Sequence, residues 1–215
     1  MSCDLKDLCG EDMDSGDLSA SWEITRVHLA AARSLLPPTL FQGPPLLEVA
    51  EFLDHNELEL AMDELALLSD QFPAPPAFWE ALRAAAANMG LADRERDLDW
   101  RLSEAKWGYL RVELRLLPTS EDGRKTPFRS GYRPDWDIGN SYEGRSTING
   151  APVTIEDRPS LLPGETGVVR LHPLVPELWT HVRPGARLAL HEGARVLGTG
   201  TVLELVAPVA DRDDT

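Results

Sequence analysis

Between Gly123 and Pro134 the chain carries four cations, Arg124, Lys125, Arg129 and Arg133, with no acid among them and with Phe128 and Tyr132 interleaved. Cations at this density attract phosphate oxygens, and the aromatic rings offer stacking surface, so the segment has the composition of a phosphate-contacting loop rather than of a bond-making centre. Nucleotide hydrolysis needs more. A phosphate loop reads Gly-x-x-x-x-Gly-Lys-[Ser/Thr], and the glycine spacing occurs at Gly139 to Gly144 and at Gly193 to Gly198, where Arg145 and Thr199 stand in place of the lysine. The protein is therefore expected neither to bind nor to hydrolyse GTP.

The five histidines, His28, His55, His172, His181 and His191, form no His-Glu-x-x-His pair, and no Gly-x-Ser-x-Gly elbow is present. His55, just before a helix start, reads as structural. His172, His181 and Glu192 could converge in space, although a single histidine in a β domain is more often a packing or surface residue. Cys3 and Cys9 could form a redox pair or supply two metal ligands, but no second Cys or His pair of zinc spacing lies nearby, and they read as reduced thiols. No cofactor, no metal and no catalytic residue is expected.

These residues must be positioned by two different halves. Residues 1–108 hold 8 Lys+Arg against 21 Asp+Glu, net −13, whereas residues 109–215 hold 13 against 15, net −2. An acidic half repels phosphate and suits a basic protein partner, or it simply keeps helix faces solvated. With 42% hydrophobic and 27% charged residues the chain has an ordinary globular composition. No run approaches the roughly 20 apolar residues of a membrane helix, and the acidic start lacks the basic, apolar pattern of a signal peptide, which predicts a cytoplasmic protein without membrane contact.

In residues 17–108 apolar residues recur at helical spacing. A first helix presents Ile24, Val27, His28, Ala31 and Leu35 and stops at Pro37-Pro38. A second spans Pro45 to His55. A third is N-capped by Asn56 with Glu59 in the reciprocal position and presents Leu58, Ala61, Met62, Leu65 and Leu68. A fourth starts near Pro76, presents Phe78, Leu82, Ala85, Ala86 and Met89, and ends at Gly90. A fifth covers Asp93 to Lys106. Short connections between them predict a helical bundle or stacked hairpins.

After Gly108 the period falls to 2 and turn pairs multiply: Asp122-Gly123, Asn149-Gly150, Pro163-Gly164, Pro184-Gly185 and Gly193. Strands are expected at Tyr109 to Leu117, Gly167 to Leu171, Ala186 to His191 and Gly200 to Val206. Asn149-Gly150 suits a type I′ turn, making a hairpin of Ser146 to Ile155 that Pro152 would place at an edge. The spacing fits a small antiparallel barrel or sandwich.

The Gly-Arg-Lys-Thr-Pro-Phe-Arg-Ser-Gly-Tyr-Arg-Pro run at Gly123 to Pro134 resembles a segment of the third domain of elongation factor Tu. Further pieces follow in the same order: Leu162 to Glu165, His172-Pro173, and His-Glu-Gly-Ala-Arg-Val-Leu-Gly-Thr-Gly from His191 to Gly200. Together they are spread over residues 123–200, most of the β half. The pattern departs from the family at Ile138 to Arg145 and at Leu178 to Arg183, which leaves the core intact but puts a specific binding edge in doubt. The resemblance implies a β-barrel that touches the backbone of aminoacyl-tRNA and meets protein partners. It carries the tRNA-facing role to Arg124, Lys125, Thr126, Glu192 and Gly193, with Lys125 in place of the family's histidine. The same Gly-Arg and Gly-Tyr-Arg-Pro elements equally serve as turns and packing of such a barrel. In the other half, Phe52 to Leu65 is similar to a stretch of small helical immunity proteins of the Maf type, which implies neutralisation of a basic toxin through charge complementarity.

The expected architecture is α+β. Residues 1–16 form a flexible acidic N-terminus, 17–108 a helical domain, 109–207 an elongation-factor-like barrel and 208–215 a disordered tail. The expected function is a non-catalytic bacterial adaptor whose barrel engages tRNA or another translation-linked partner, with an immunity protein as the alternative and an enzyme with an unrecognised site as the third reading. The expected interface residues are Arg124, Lys125, Thr126, Arg129, Arg133, Glu192 and Gly193.

Overall fold

Proline and glycine punctuate the helices as their chemistry requires. The computed structural model describes residues 15–40 and 43–209. Cys3 and Cys9, most of the acidic N-terminus and the last residues of the tail lie outside the described residues. Five helices, α1 (Ser15–Ser34), α2 (Pro44–Asp54), α3 (Leu58–Leu68), α4 (Pro76–Asn88) and α5 (Ala92–Trp107), precede nine strands. None of the described helices is long and apolar enough to cross a membrane. The described residues divide into two compact units, one up to Leu102 and the other from Ser103, the division falling within α5.

In the helical unit α1 packs on α4 and α3, and α2 on α3. The buried faces of α3 and α4 hold Leu58, Ala61, Met62, Leu65 and Leu68 on the first and Phe78, Leu82, Ala85 and Ala86 on the second, as expected, whereas Met89 is only half-buried at the C-cap of α4. Gly90 closes α4 at φ 72°, the left-handed conformation that glycine adopts without a Cβ penalty.

Two expectations for this unit fail. The face of α1 is rotated: Thr25, Leu29, Ala32 and Leu36 are buried, while Ile24 is 49% and Val27 60% exposed. The buried Thr25 is tolerated because its hydroxyl accepts a 2.7 Å hydrogen bond from Asn88 and donates to Ser21 O. Nor does Asn56 cap α3. It sits at φ 60° in the turn, its side-chain oxygen accepts from Arg26, and Glu57 occupies the N-cap position without a side-chain cap bond.

In the second unit the strands are β1 (Tyr109–Leu116), β2 (Phe128–Arg129), β3 (Asp135–Tyr142), β4 (Arg145–Gly150), β5 (Val153–Ile155), β6 (Ser160–Leu161), β7 (Thr166–Leu171), β8 (Arg187–Glu192) and β9 (Arg195–Val206). Seven form one antiparallel sheet in the order β4-β3-β8-β9-β1-β7-β5, and β2 pairs with β6. Laid flat, seven strands would separate the edge strands by about 29 Å. Only Ala151 and Pro152 link β4 to β5, a span of about 11 Å at most, so the sheet must curl.

The barrel is not closed, however. In place of a ladder between the edges, the segment before β3 covers β5: Gly131 N–H donates to Val153 O, and Val153 N–H to Tyr132 O. The concave face encloses a core of Leu110, Val112, Leu114, Phe128, Trp136, Leu171 and Leu190. Trp136, fully buried, keeps its indole N–H satisfied by Ala151 O at 3.1 Å.

The expected Asn149-Gly150 hairpin is also wrong. Tyr142 pairs with Arg145, so the two-residue turn is Glu143-Gly144, at φ 50° and 75°, while Asn149 and Gly150 continue β4 opposite Trp136 and Asp135. Pro152 does lie between two edge strands. Leu178 to Arg183 does more than lengthen a connection: Trp179 and Val182 from it are buried in the sheet core.

Candidate nucleic-acid interface

The loop from Gly123 to Pro134 is anchored at its centre by Phe128, which is fully buried and stands edge-on to Tyr132 with 5.1 Å between ring centroids. The Arg124 guanidinium lies 4.4 Å above the Tyr132 ring and 5.8 Å from that of Phe128. One of its nitrogens donates to Glu192 Oε1 at 3.0 Å, another reaches Thr126 Oγ1 at 3.5 Å, and the Tyr132 hydroxyl donates to the same Glu192 oxygen. Burial, and then the Glu192 carboxylate, raise the Tyr132 hydroxyl above its usual pKa.

Arg124, Thr126, Phe128 and Tyr132 belong to one motif, and Glu192 comes from another far along the chain. Glu192 ends β8, Gly193 follows it at φ 61° in the turn to β9, and Arg195 reaches back to donate to Asp122 O. The His191 to Gly200 segment is thus joined to the Gly123 to Pro134 loop through Glu192 and to the residue just before it, Asp122, through Arg195. Of the residues to which the resemblance carries an interface role, Arg124, Thr126 and Glu192 lie together. Tyr132 and Arg195 stand within the two matched motifs but are not among the expected interface residues. The place of Arg195 in the Arg-Val-Leu-Gly sequence carries no signal that it would reach another loop.

The remaining cations behave differently. Arg124 is occupied, its side chain only 16% exposed. Lys125, Arg129 and Arg133 are exposed and form no ion pair among the described residues. They neighbour the members of the Arg124–Tyr132–Glu192 clamp in sequence and are exposed to solvent.

The two histidines and the acid that could have converged do not. His181 lies at 2.8 Å from Ile138 O through Nε2, Glu192 belongs to the clamp, and His172 lies in a polar network at β5, β7 and the end of α5. There Arg170 bridges Glu104 at 2.9 Å and Glu156 at 3.2 Å, and Arg111 holds both oxygens of Glu156. His172 is 4% exposed, and burial, with Arg170 adding, pushes its pKa down to about 4. It is neutral near pH 7, so its 3.8 Å approach to Glu104 is not an ion pair there. Thr154 and Glu104 both face Nε2, whereas a hydrolytic triad places hydroxyl and acid on opposite ring nitrogens. Among the described residues no cluster of three His, Cys, Asp or Glu could hold a metal.

The glycine spacings that resemble a phosphate loop have other duties. Gly139 and Gly144 take positive φ in the β3–β4 hairpin. Gly198 lies in β9 where a Cβ would meet Arg115 O at 2.6 Å. No family model matches the chain.

Proposed function

We propose that this chain is a non-catalytic binding protein whose β unit engages a translation-linked partner through the phosphate backbone of tRNA. The observation that carries the reading is the trio Lys125, Arg129 and Arg133, exposed and without ion partners in the loop that supplies Arg124 and Tyr132 to the clamp with Glu192. The likeness of the surrounding motifs to the third domain of elongation factor Tu, with its barrel and its tRNA contacts, supports the choice of ligand. Cations that neutralise phosphates release counterions, so affinity falls with salt.

The test is tRNA titration of the full-length protein and of a Lys125→Glu, Arg129→Glu double variant across a salt series. Loss of two phosphate contacts should weaken binding and flatten the salt slope by roughly two units. Equal affinity of the two proteins would overturn the reading.

A second reading is favoured by charge. The helical unit, residues 1–102, has 20 Asp+Glu against 7 Lys+Arg. It would bind a basic protein, as an immunity protein binds its toxin, with electrostatic attraction speeding the encounter.

A further inference from the structure

The helical unit has a groove of about 630 Å³ where the first half of α1, the turn into α3 and the end of α4 meet. Its apolar wall includes Leu18, Trp22, Leu58, Leu60 and Met89. Trp22 is 46% and Leu60 48% exposed, large side chains that a helix normally turns inward. Trp22 shares the helix face of Thr25 and Leu29, one and two turns before them, and lines the groove beside Thr25.

The polar part of the groove is strongly one-sided. Glu57 and Glu59 stand among its lining residues, and no lysine or arginine does. The Asn88 amide donates its two hydrogens to Ser21 O and Thr25 Oγ1, each at 2.7 Å, with Ser21 Oγ at 3.2 Å, which fixes the side chain and leaves its carbonyl oxygen as an acceptor. Because α3 starts without a side-chain cap, its first N–H groups also have no acceptor among the described residues.

We infer that this groove docks a cationic amphipathic segment of a partner protein, its apolar side chain against Trp22 and Leu60 and its lysine or arginine against Glu57 and Glu59. The occupant follows from complementarity. An apolar anchor matches the exposed indole and leucine, cations match the two glutamates of the rim, where the adjacent Arg26 is bonded to Asn56 and not to either acid, and backbone groups of the segment match the α3 donors and the Asn88 acceptor. The N-terminal stretch of this chain is a poor occupant: residues 1–14 carry Asp4, Asp7, Glu11, Asp12 and Asp14 against Lys6 alone, the same sign as the rim. The inference rests on the acidic helical unit being the protein-binding half and specifies where on it the partner lies.

The experiment is calorimetric titration of the full-length protein with a synthetic amphipathic helix of leucine and lysine, and with its leucine and glutamate counterpart. The lysine peptide should bind and the glutamate peptide should not. Leu60→Ser and Trp22→Ala should each weaken binding about tenfold, an effect typical of losing one buried anchor. Both side chains are half exposed, so circular dichroism should show the fold retained, and either variant suffices if the other misfolds. Paired reversal Glu57→Lys, Glu59→Lys should weaken binding at low salt by a similar factor. Reversal of Glu48 and Glu51, exposed acids of α2 that do not line the groove, should leave it within about twofold. Equal losses from the two reversals, with Leu60→Ser silent, overturn the groove while leaving the acidic unit as a diffuse attractor of basic proteins. No binding of the lysine peptide overturns the groove as well.

Discussion

Arg124 and Glu192, 68 residues apart in sequence, meet at 3.0 Å and turn one cation of a basic loop into a fixed strut. Replacing Glu192 by Gln removes the only acid of the clamp. The pair is partly exposed, so stability should fall by only about 1 kcal/mol in urea unfolding. Affinity for tRNA should rise, because Arg124 is released and a negative charge leaves the neighbourhood of Lys125 and Arg133. Unchanged affinity in a filter-binding titration would mean that the anion binds elsewhere.

The glycines of the matched motifs should prove to be packing residues. A Cβ on Gly198 would sit 2.6 Å from the Arg115 carbonyl oxygen, and one on Gly123 would overlap that of Leu117, both backbone atoms that cannot rotate away. Gly198→Ala and Gly123→Ala should each destabilise the protein by about 1–3 kcal/mol. Thermal unfolding followed by circular dichroism measures this, and a silent substitution would show that the strands can shift apart.

Acid should loosen the β unit before its carboxylates titrate. His172 has its folded pKa depressed from 6.5 to about 4, so its contribution is complete above pH 6.5 and is lost as pH falls towards 4. A shift of this size corresponds to about 3 kcal/mol. Glu156, held below its usual value first by Arg111 and then by Arg170, loses its contribution only below pH 4.5. Urea denaturation at stepped pH should therefore show a decline between pH 6.5 and 4.5 that His172→Gln abolishes. A decline that persists in the variant would place the sensitivity elsewhere.

The division within α5 predicts where a fragment can be cut. Glu104 precedes β1, yet it bonds Arg170 of β7 at 2.9 Å, and Val209 N–H donates to Ala105 O. A β fragment beginning at Ser103 should be more stable than one beginning at Tyr109 by about 2 kcal/mol, the scale of a charged hydrogen bond. Chemical denaturation of the two fragments decides the matter, and equal midpoints would show that the last turn of α5 adds nothing.

Local chemistry was enough to read much of this protein. Pro37-Pro38, Pro76 and Gly90 bound helices because a missing N–H or a positive φ acts within one turn, and the change of period after Gly108 announces β1 at Tyr109 because side-chain alternation is a property of each strand alone. The basic composition of Arg124 to Arg133 was equally plain. Facts that depend on partners far along the chain were not. Ile24 and Val27 have the right spacing for a core face, but α1 turns Thr25 inward because Asn88 of α4 is there to satisfy it. Asn149-Gly150 has turn chemistry, yet pairing with Trp136 and Asp135 draws it into β4 and leaves the turn to Glu143-Gly144. The cations of one loop look alike in sequence, and only the arrival of β8 beside that loop separates Arg124, bound to Glu192, from Lys125, Arg129 and Arg133, which stay exposed to solvent. Propensity acts through neighbours in sequence, whereas burial and charge pairing act through neighbours in space.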